Sequence, residues 1–220
     1  MRALVVSPHP DDETLGAGGT LLKLKDRGHE IFWMNVTNMK LEYGYSEERV
    51  AERNEEIEKV RMAYKFDGFW NLEIEPAGVD KHETGELVSR FKTVLEEVEP
   101  ALLLVPYRYD VHSDHRVIFD AMYSCTKAFR APYLKTVLSM EILSETDQAQ
   151  CETAFSPNVF IDVSRYIEKK IEIMRMYKSE IDTPPFPRNE NAIRGQAAYR
   201  GAAAYQDYSE SFWLIKHRVD

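Results

Sequence analysis

The chain has 220 residues, enough for one domain with a full core. Its 28 basic and 37 acidic residues give a net charge of −9, which excludes general electrostatic binding to nucleic acid or anionic membrane. Hydrophobic residues are 44% of the chain, against a largely disordered protein, and no apolar stretch reaches the ~20 residues that span a bilayer.

The N-terminus MRALVVSPHPDDE opens with a short apolar run that acids follow at once, so it reads as a buried strand, not as a signal peptide. Ala3-Leu4-Val5-Val6, Ile31-Phe32-Trp33-Met34, Leu102-Leu103-Leu104-Val105 and Val159-Phe160-Ile161 are runs without polar alternation. Such runs fit strands covered on both faces, as in a parallel sheet. Helical patterns lie between them. Residues 14–27 end at Gly28, a good residue to stop a helix, and residues 47–64 follow Ser46, a plausible cap. Further patterns cover 85–98, which stops before Pro100, then 114–129, and 164–178 starting at Ser164. The alternation predicts an α/β fold, a three-layer Rossmann-like sandwich with a mostly parallel sheet and right-handed crossovers. In such sheets ligands bind beyond the carboxyl ends of the strands.

The segment 182–206 differs. Thr183-Pro184-Pro185-Phe186-Pro187 reads as an extended loop, and the aromatic tail behind it (Tyr199, Tyr205, Tyr208, Phe212, Trp213) as a C-terminal cover over the sheet end. Residues 1–220 are therefore expected to form a single domain. Cys125 and Cys151 make neither a disulfide scaffold nor a CxxC site, so a reducing cytoplasm is the expected compartment.

Two clusters carry chemistry. His9-Pro10-Asp11-Asp12-Glu13 directly follows the first strand, and these acids would be costly to desolvate there without a partner such as a divalent cation. His9 and Asp12 are three apart, so a turn can bring both side chains to one point while Asp11 points elsewhere. On its own the cluster also fits acids placed on a helix dipole. Asp110-Val111-His112-Ser113-Asp114-His115 follows the strand at 102–105. One of its histidines can complete a His/Asp/His set of the open type used by catalytic zinc, leaving the other free in the site. Asp114 also fits a helix cap with two surface histidines. Two ligand-type clusters at the ends of two parallel strands face one crevice, and that conjunction is more specific than either cluster alone. Gly16-Ala17-Gly18-Gly19 is a weak match to a dinucleotide fingerprint, because acids occupy the turn that the glycines would need. It reads as close helix packing.

HPDDETLGAGG after a first strand, with HSDH after a later one, resembles the PIG-L/LmbE-like deacetylases, zinc-dependent hydrolases of N-acyl amino sugars. The resemblance extends through Val36-Thr37-Asn38, Arg53-Asn54-Glu55-Glu56, Tyr177-Lys178-Ser179-Glu180 and Tyr208-Ser209-Glu210-Ser211-Phe212. It implies one zinc per chain on His9, Asp12 and His115, with Asp11 as general base and His112 stabilising the oxyanion. Arg53 matches a substrate-contacting arginine, and Asp110 stands where some members place a catalytic tyrosine and others an aspartate; both are expected to bind substrate. Glu180 departs from the usual glutamine, which bears on sugar specificity. The implied partner is a small-molecule N-acyl amino sugar, with no nucleic acid and no membrane span, and relatives often form oligomers. Trp70, Tyr107 and Tyr109 are candidates for stacking on a sugar ring or for plain packing. Two other readings of the same residues are a metal-dependent phosphoesterase and a non-catalytic sugar- or nucleotide-binding module. The former would need a phosphate-cradling loop, and the latter would not need Asp11 and His112 beside a ligand set.

Overall fold

The computed structural model describes residues 1–219. Among them, seven strands, β1 (Arg2–Ser7), β2 (Glu30–Thr37), β3 (Gly68–Ile74), β4 (Leu102–Val105), β5 (Thr136–Met140), β6 (Val159–Asp162) and β7 (Ser209–His217), form one sheet in the order β3-β2-β1-β4-β5-β7-β6. The first five are parallel, and β7 runs antiparallel to both its neighbours. The chain moves outward from β1 to β2 and β3, then returns past β1 to β4. The strand order therefore reverses between β1 and β4, the crevice where open α/β sheets bind ligands.

The apolar strands are buried on both faces. Ala3 and Val5 pack with Leu21 of α1 (Asp12–Asp26), Val60 of α2 (Glu47–Tyr64), Ile171 of α5 (Ile167–Met174) and Ile193 of α6 (Glu190–Ala203). Leu4 and Val6 point the other way, onto Phe91 of α3 (Thr84–Val98) and Ile118 of α4 (Ser113–Ser124). These are the three expected layers. The Ser46 hydroxyl caps α2 by accepting from the Arg49 N–H at 3.3 Å.

Helices α4 and α5 are shorter than the sequence periodicity predicts, and Ser164 does not cap α5, because its hydroxyl donates to Asp162 instead. Strands β3 and β5 have no clean apolar run. β3 is a half-exposed edge strand interrupted by Asn71, and β5 is interrupted by Ser139, whose hydroxyl donates to the Pro106 carbonyl. The largest departure is at the C-terminus. Only the first part of 182–206 is irregular. Residues 190–203 are helix α6, capped by Asn189 accepting from the Ala192 N–H. The supposed aromatic cover contains β7, an interior strand of the sheet. Its start, Ser209-Glu210-Ser211, is too polar to read as a buried strand, yet all three residues are buried.

Glu210 explains that burial. Its carboxylate accepts from the Gly19 and Thr20 N–H groups of α1 at 2.8 and 2.7 Å and pairs with Lys170 Nζ at 2.7 Å. Lys170 in turn donates to the Leu15 carbonyl at 2.8 Å. An ion pair from α5 and β7 thus docks on the middle of α1, at groups that regular helix bonding would pair with one another. This approach needs glycine. A Cβ on Gly19 would lie 2.7 Å from Val163 Cβ, and one on Gly16 2.9 Å from Met140 Cβ. The glycines of α1 serve packing, as the sequence suggested. Glu210→Ala should leave Lys170 charged and buried, costing about 3–5 kcal/mol, whereas Lys170→Met with Glu210→Leu should cost less. Urea unfolding of both variants measures this, and a loss below about 1 kcal/mol for Glu210→Ala would mean the pair does not anchor α1.

Candidate active site

The turn after β1 is fixed from two sides. The Thr37 N–H and hydroxyl both donate to the Pro8 carbonyl, at 3.0 and 2.8 Å, and Arg53 Nη1 donates to the Pro10 carbonyl at 3.0 Å. Asp12 opens α1, and its Oδ2 accepts from the His9 N–H at 2.8 Å. His115 sits one turn into α4 and is fully buried. Three donor atoms meet. His9 Nδ1 is 3.4 Å from Asp12 Oδ2, His115 Nε2 is 3.3 Å from Asp12 Oδ2, and the two nitrogens are 3.3 Å apart. A tetrahedron with edges of that length surrounds an ion with bonds of about 2.0–2.1 Å, the distance at which imidazole nitrogen and carboxylate oxygen hold a four-coordinate metal. The residues therefore fit a divalent ion.

Each histidine is aimed by a carboxylate on its far nitrogen. His115 Nδ1 is 2.8 Å from Asp110 Oδ2, and His9 Nε2 is 3.1 Å from Asp114 Oδ2. These bonds place the protons on those nitrogens and turn the opposite lone pairs toward one point. Asp110, expected to bind substrate, lies behind His115. It is fully buried, and it also accepts from the Tyr107 N–H and from the Thr146 hydroxyl. Asp114 is no helix cap either, since it accepts from the Ala77 and Val79 N–H groups. A second group, His9, His112 and Asp114, also lies close enough to share an ion. Its oxygens and His112 Nδ1 are already committed, so the first set fits better.

Electrostatics follow from this packing. Burial lowers the pKa of His9, but Asp114 and Asp12 outweigh it and hold the value at about 9. Burial also opposes the charge on His115, which Asp12 and Asp110 keep protonated well above the ordinary histidine range. For Asp12, burial raises the pKa and His115 more than reverses it, holding the carboxylate well below its usual range. His112 behaves differently. Burial and the neighbouring His9 lower it to about 4, so it is neutral at physiological pH. Its Nδ1 accepts from the Asp114 N–H at 3.1 Å, which leaves the single ring proton on Nε2.

A cavity of about 250 Å³ adjoins the tripod, at the small end of ligand sites. His9, Asp11, His112 and Arg53 line it, as the sequence led one to expect. Asp11 turns away from Asp12, as anticipated, and meets Arg188 Nη1 at 2.8 Å. Burial and Asp12 raise its pKa, and Arg188 only partly offsets them. The Arg53 fork is occupied by the Pro10 carbonyl, Ser179 and Glu180. Glu13, the last acid of the cluster, is buried away from the tripod and accepts from Thr14, Tyr177 and the Asp11 N–H, with burial raising its pKa to about 7. None of the three proposed stacking aromatics lines the cavity. Trp70, on β3, donates to Glu97 of α3, Tyr107 packs against Phe155 and Trp213, and Tyr109 is exposed. Tyr45, Glu145 and Arg188 line it instead; the sequence allows the Lys40–Tyr45 loop before α2 to flank the crevice, whereas Glu145 and Arg188 went unread. They come from separate loops and share no spacing with the ligand clusters. The one hint was an arginine closing the proline-rich segment.

Residues 4–126 match the family model described as PIG-L, GlcNAc-PI de-N-acetylase. The chain is 24% identical over 234 residues to the diacetylchitobiose deacetylase of Thermococcus kodakarensis, covering 97% of this chain and 83% of that protein. A conserved protein from Thermus thermophilus superposes with a TM-score of 0.77 at 23% identity, covering 99% of this chain and 96% of the other. The N,N'-diacetylchitobiose deacetylase from Pyrococcus horikoshii superposes with a TM-score of 0.73 at 20% identity, covering 98% and 84%. These two superpositions establish the likeness of fold.

Because His9 and His115 hold protons at neutral pH without an ion, a metal must displace them. Metal affinity should therefore rise with pH toward about 9, fall as pH is lowered, and release protons on binding. Calorimetry in buffers of different ionisation enthalpy detects this, and affinity that is flat from about pH 6 to 9 contradicts it. Asp110→Asn should weaken metal binding by about 10–100-fold through loss of the His115 anchor. Competition with a chelator measures that, and unchanged affinity would show that Asp110 does not orient the ligand.

Proposed function

The chain belongs to the PIG-L family, and from that premise we propose that it is a zinc-dependent hydrolase that removes an N-acetyl group from an amino sugar or its conjugate. Free amine and acetate are the products. The observation that carries this reading is the tripod of His9 Nδ1, Asp12 Oδ2 and His115 Nε2 beside a cavity onto which both Asp11 and His112 open. Two imidazoles and one carboxylate suit zinc better than magnesium or calcium, which prefer all-oxygen sites. The similarity to deacetylases of diacetylchitobiose supports an N-acetylated amino sugar as substrate. Two free cysteines, one buried and one exposed, support a reducing, cytoplasmic setting. One sheet that joins the first strand to the last supports reading residues 1–220 as a single domain.

Zinc on these three ligands supplies Lewis acidity toward water and toward the amide carbonyl. Asp11, beside the tripod but outside it, accepts the proton of the attacking water and returns it to the amide nitrogen as the C–N bond breaks. His112 keeps its proton on Nε2 and donates a hydrogen bond to the carbonyl oxygen as negative charge grows there. Its neutrality helps, because a neutral donor adds no repulsion beside a cation. Arg53 contributes to the cavity wall with a guanidinium already held by the Pro10 carbonyl and Glu180, and its substrate role is to shape that wall.

Release of primary amine from a panel of N-acetyl amino sugars, including N,N'-diacetylchitobiose, tests the function with zinc-loaded protein. No amine from any sugar at full zinc occupancy overturns it. His115→Ala should be largely depleted of metal. His112→Ala should bind zinc like the wild type and lose about 10²–10³-fold in kcat. Zinc content and kcat measured side by side decide between these roles, and zinc retained by His115→Ala would mean the ligand set is wrong.

A further inference from the structure

We infer that Arg188 is a positioning residue for the proposed base: the guanidinium at the end of the 182–189 loop fixes the Asp11 carboxylate in the cavity wall. This rests on the reading that Asp11 accepts the proton of the attacking water.

Asp11 has a backbone that needs help. Its φ of 145° with ψ of −26° lies where residues other than glycine are rarely found. Such a conformation persists only when its surroundings over-determine it. The backbone is held by the first turn of α1, where the Asp11 carbonyl accepts from the Thr14 and Leu15 N–H groups at 2.9 and 2.8 Å. Its own N–H donates to Glu13 Oε2 at 3.2 Å. Those contacts fix where the side chain starts and leave its carboxylate free to turn. Arg188 Nη1, 2.8 Å from Oδ2, supplies the missing constraint.

Arg188 is itself anchored. The Asp182 N–H donates to its carbonyl at 3.2 Å and closes the loop, and its guanidinium lies 5.8 Å from the centre of the Phe186 ring. Glu180 Oε2 is 3.4 Å from Nη1, and Glu180 also pairs with Arg53, whose Nη1 bonds the carbonyl of Pro10. Pro10 is covalently joined to Asp11. The contacts therefore form a ring, from Asp11 through Arg188, Glu180, Arg53 and Pro10 back to Asp11. Three remote segments meet in it: the turn after β1, helix α2, and the chain between α5 and α6. Without Arg188 the ring opens: Glu180 keeps Arg53, and the Asp11 carboxylate loses the guanidinium that holds it. A base displaced by even about 1 Å can lose about 10²-fold in rate.

The test uses the full-length, zinc-loaded chain and an N-acetyl amino sugar that the wild type turns over. Arg188→Ala should retain zinc, lose about 10²-fold in kcat and keep KM within about threefold. Millimolar guanidinium should restore part of the lost rate, and Arg188→Lys should fall in between. In an Asp11→Asn background, Arg188→Ala should cost almost nothing more, because its effect passes through Asp11. Unchanged kcat in Arg188→Ala overturns the inference. So does a raised KM with intact kcat, which would make Arg188 a substrate contact, and so does a full additional loss in the double variant. Near wild-type kcat in Asp11→Asn alone would instead remove the base reading. If Asp11→Asn is inactive while Arg188→Ala is fully active, only the role of Arg188 falls.

Discussion

The site depends on two buried carboxylates that never face the cavity. Asp110 and Asp114 hold the far nitrogens of His115 and His9, so that each ring presents a lone pair to the same point. Asp114 does more than orient. Lying on α4, it fixes a histidine from the β1 turn and binds two N–H groups of the 76–79 loop that forms one rim of the cavity. A single fully buried side chain thereby ties three segments into one wall. Burying such charges costs several kcal/mol unless each is paired and hydrogen-bonded, and here every one of them has partners.

The sheet supplies the meeting place. β1 and β4 are adjacent and parallel, apolar through Val6 and Val105, and polarity begins at the end of each strand. The fold is one that in other proteins cradles a dinucleotide at the start of the first helix. Here Asp12 and Glu13 occupy that helix N-terminus, so the position that would attract a phosphate is taken by the protein's own acids. Of these two acids, Asp12 turns toward the His9 and His115 nitrogens, and Glu13 bonds Thr14 and Tyr177 behind them.

The sequence made legible whatever depended on local spacing. His9 with Asp12 and His112 with His115 sit three apart on turns, and strand adjacency follows from the alternation of elements. The place of Asp110 was unreadable because an aspartate near a histidine looks the same in sequence whether it faces a cavity or the ring behind. Strand β7 went unseen because Glu210 signals polarity, and its compensating partner Lys170 lies on another element. Arg188 was unreadable for a similar reason: its importance lies in Asp11, 177 residues away, and no periodicity reports that distance. Helix ends slipped where side chains such as Ser164 bonded a neighbouring strand in place of the helix.

The Glu210 carboxylate reaches back 191 residues to the N–H of Gly19, on the helix that Asp12 of the candidate tripod opens. A chain still on the ribosome, with β1, α1 and the start of α4 already made, has every residue of the candidate tripod but lacks the strand that anchors the helix of Asp12. Until β7 emerges, Lys170 has no carboxylate to pair with and cannot be buried cheaply against α1. The three candidate ligands are complete by residue 115, yet the carboxylate that braces the helix carrying Asp12 stands only at residue 210.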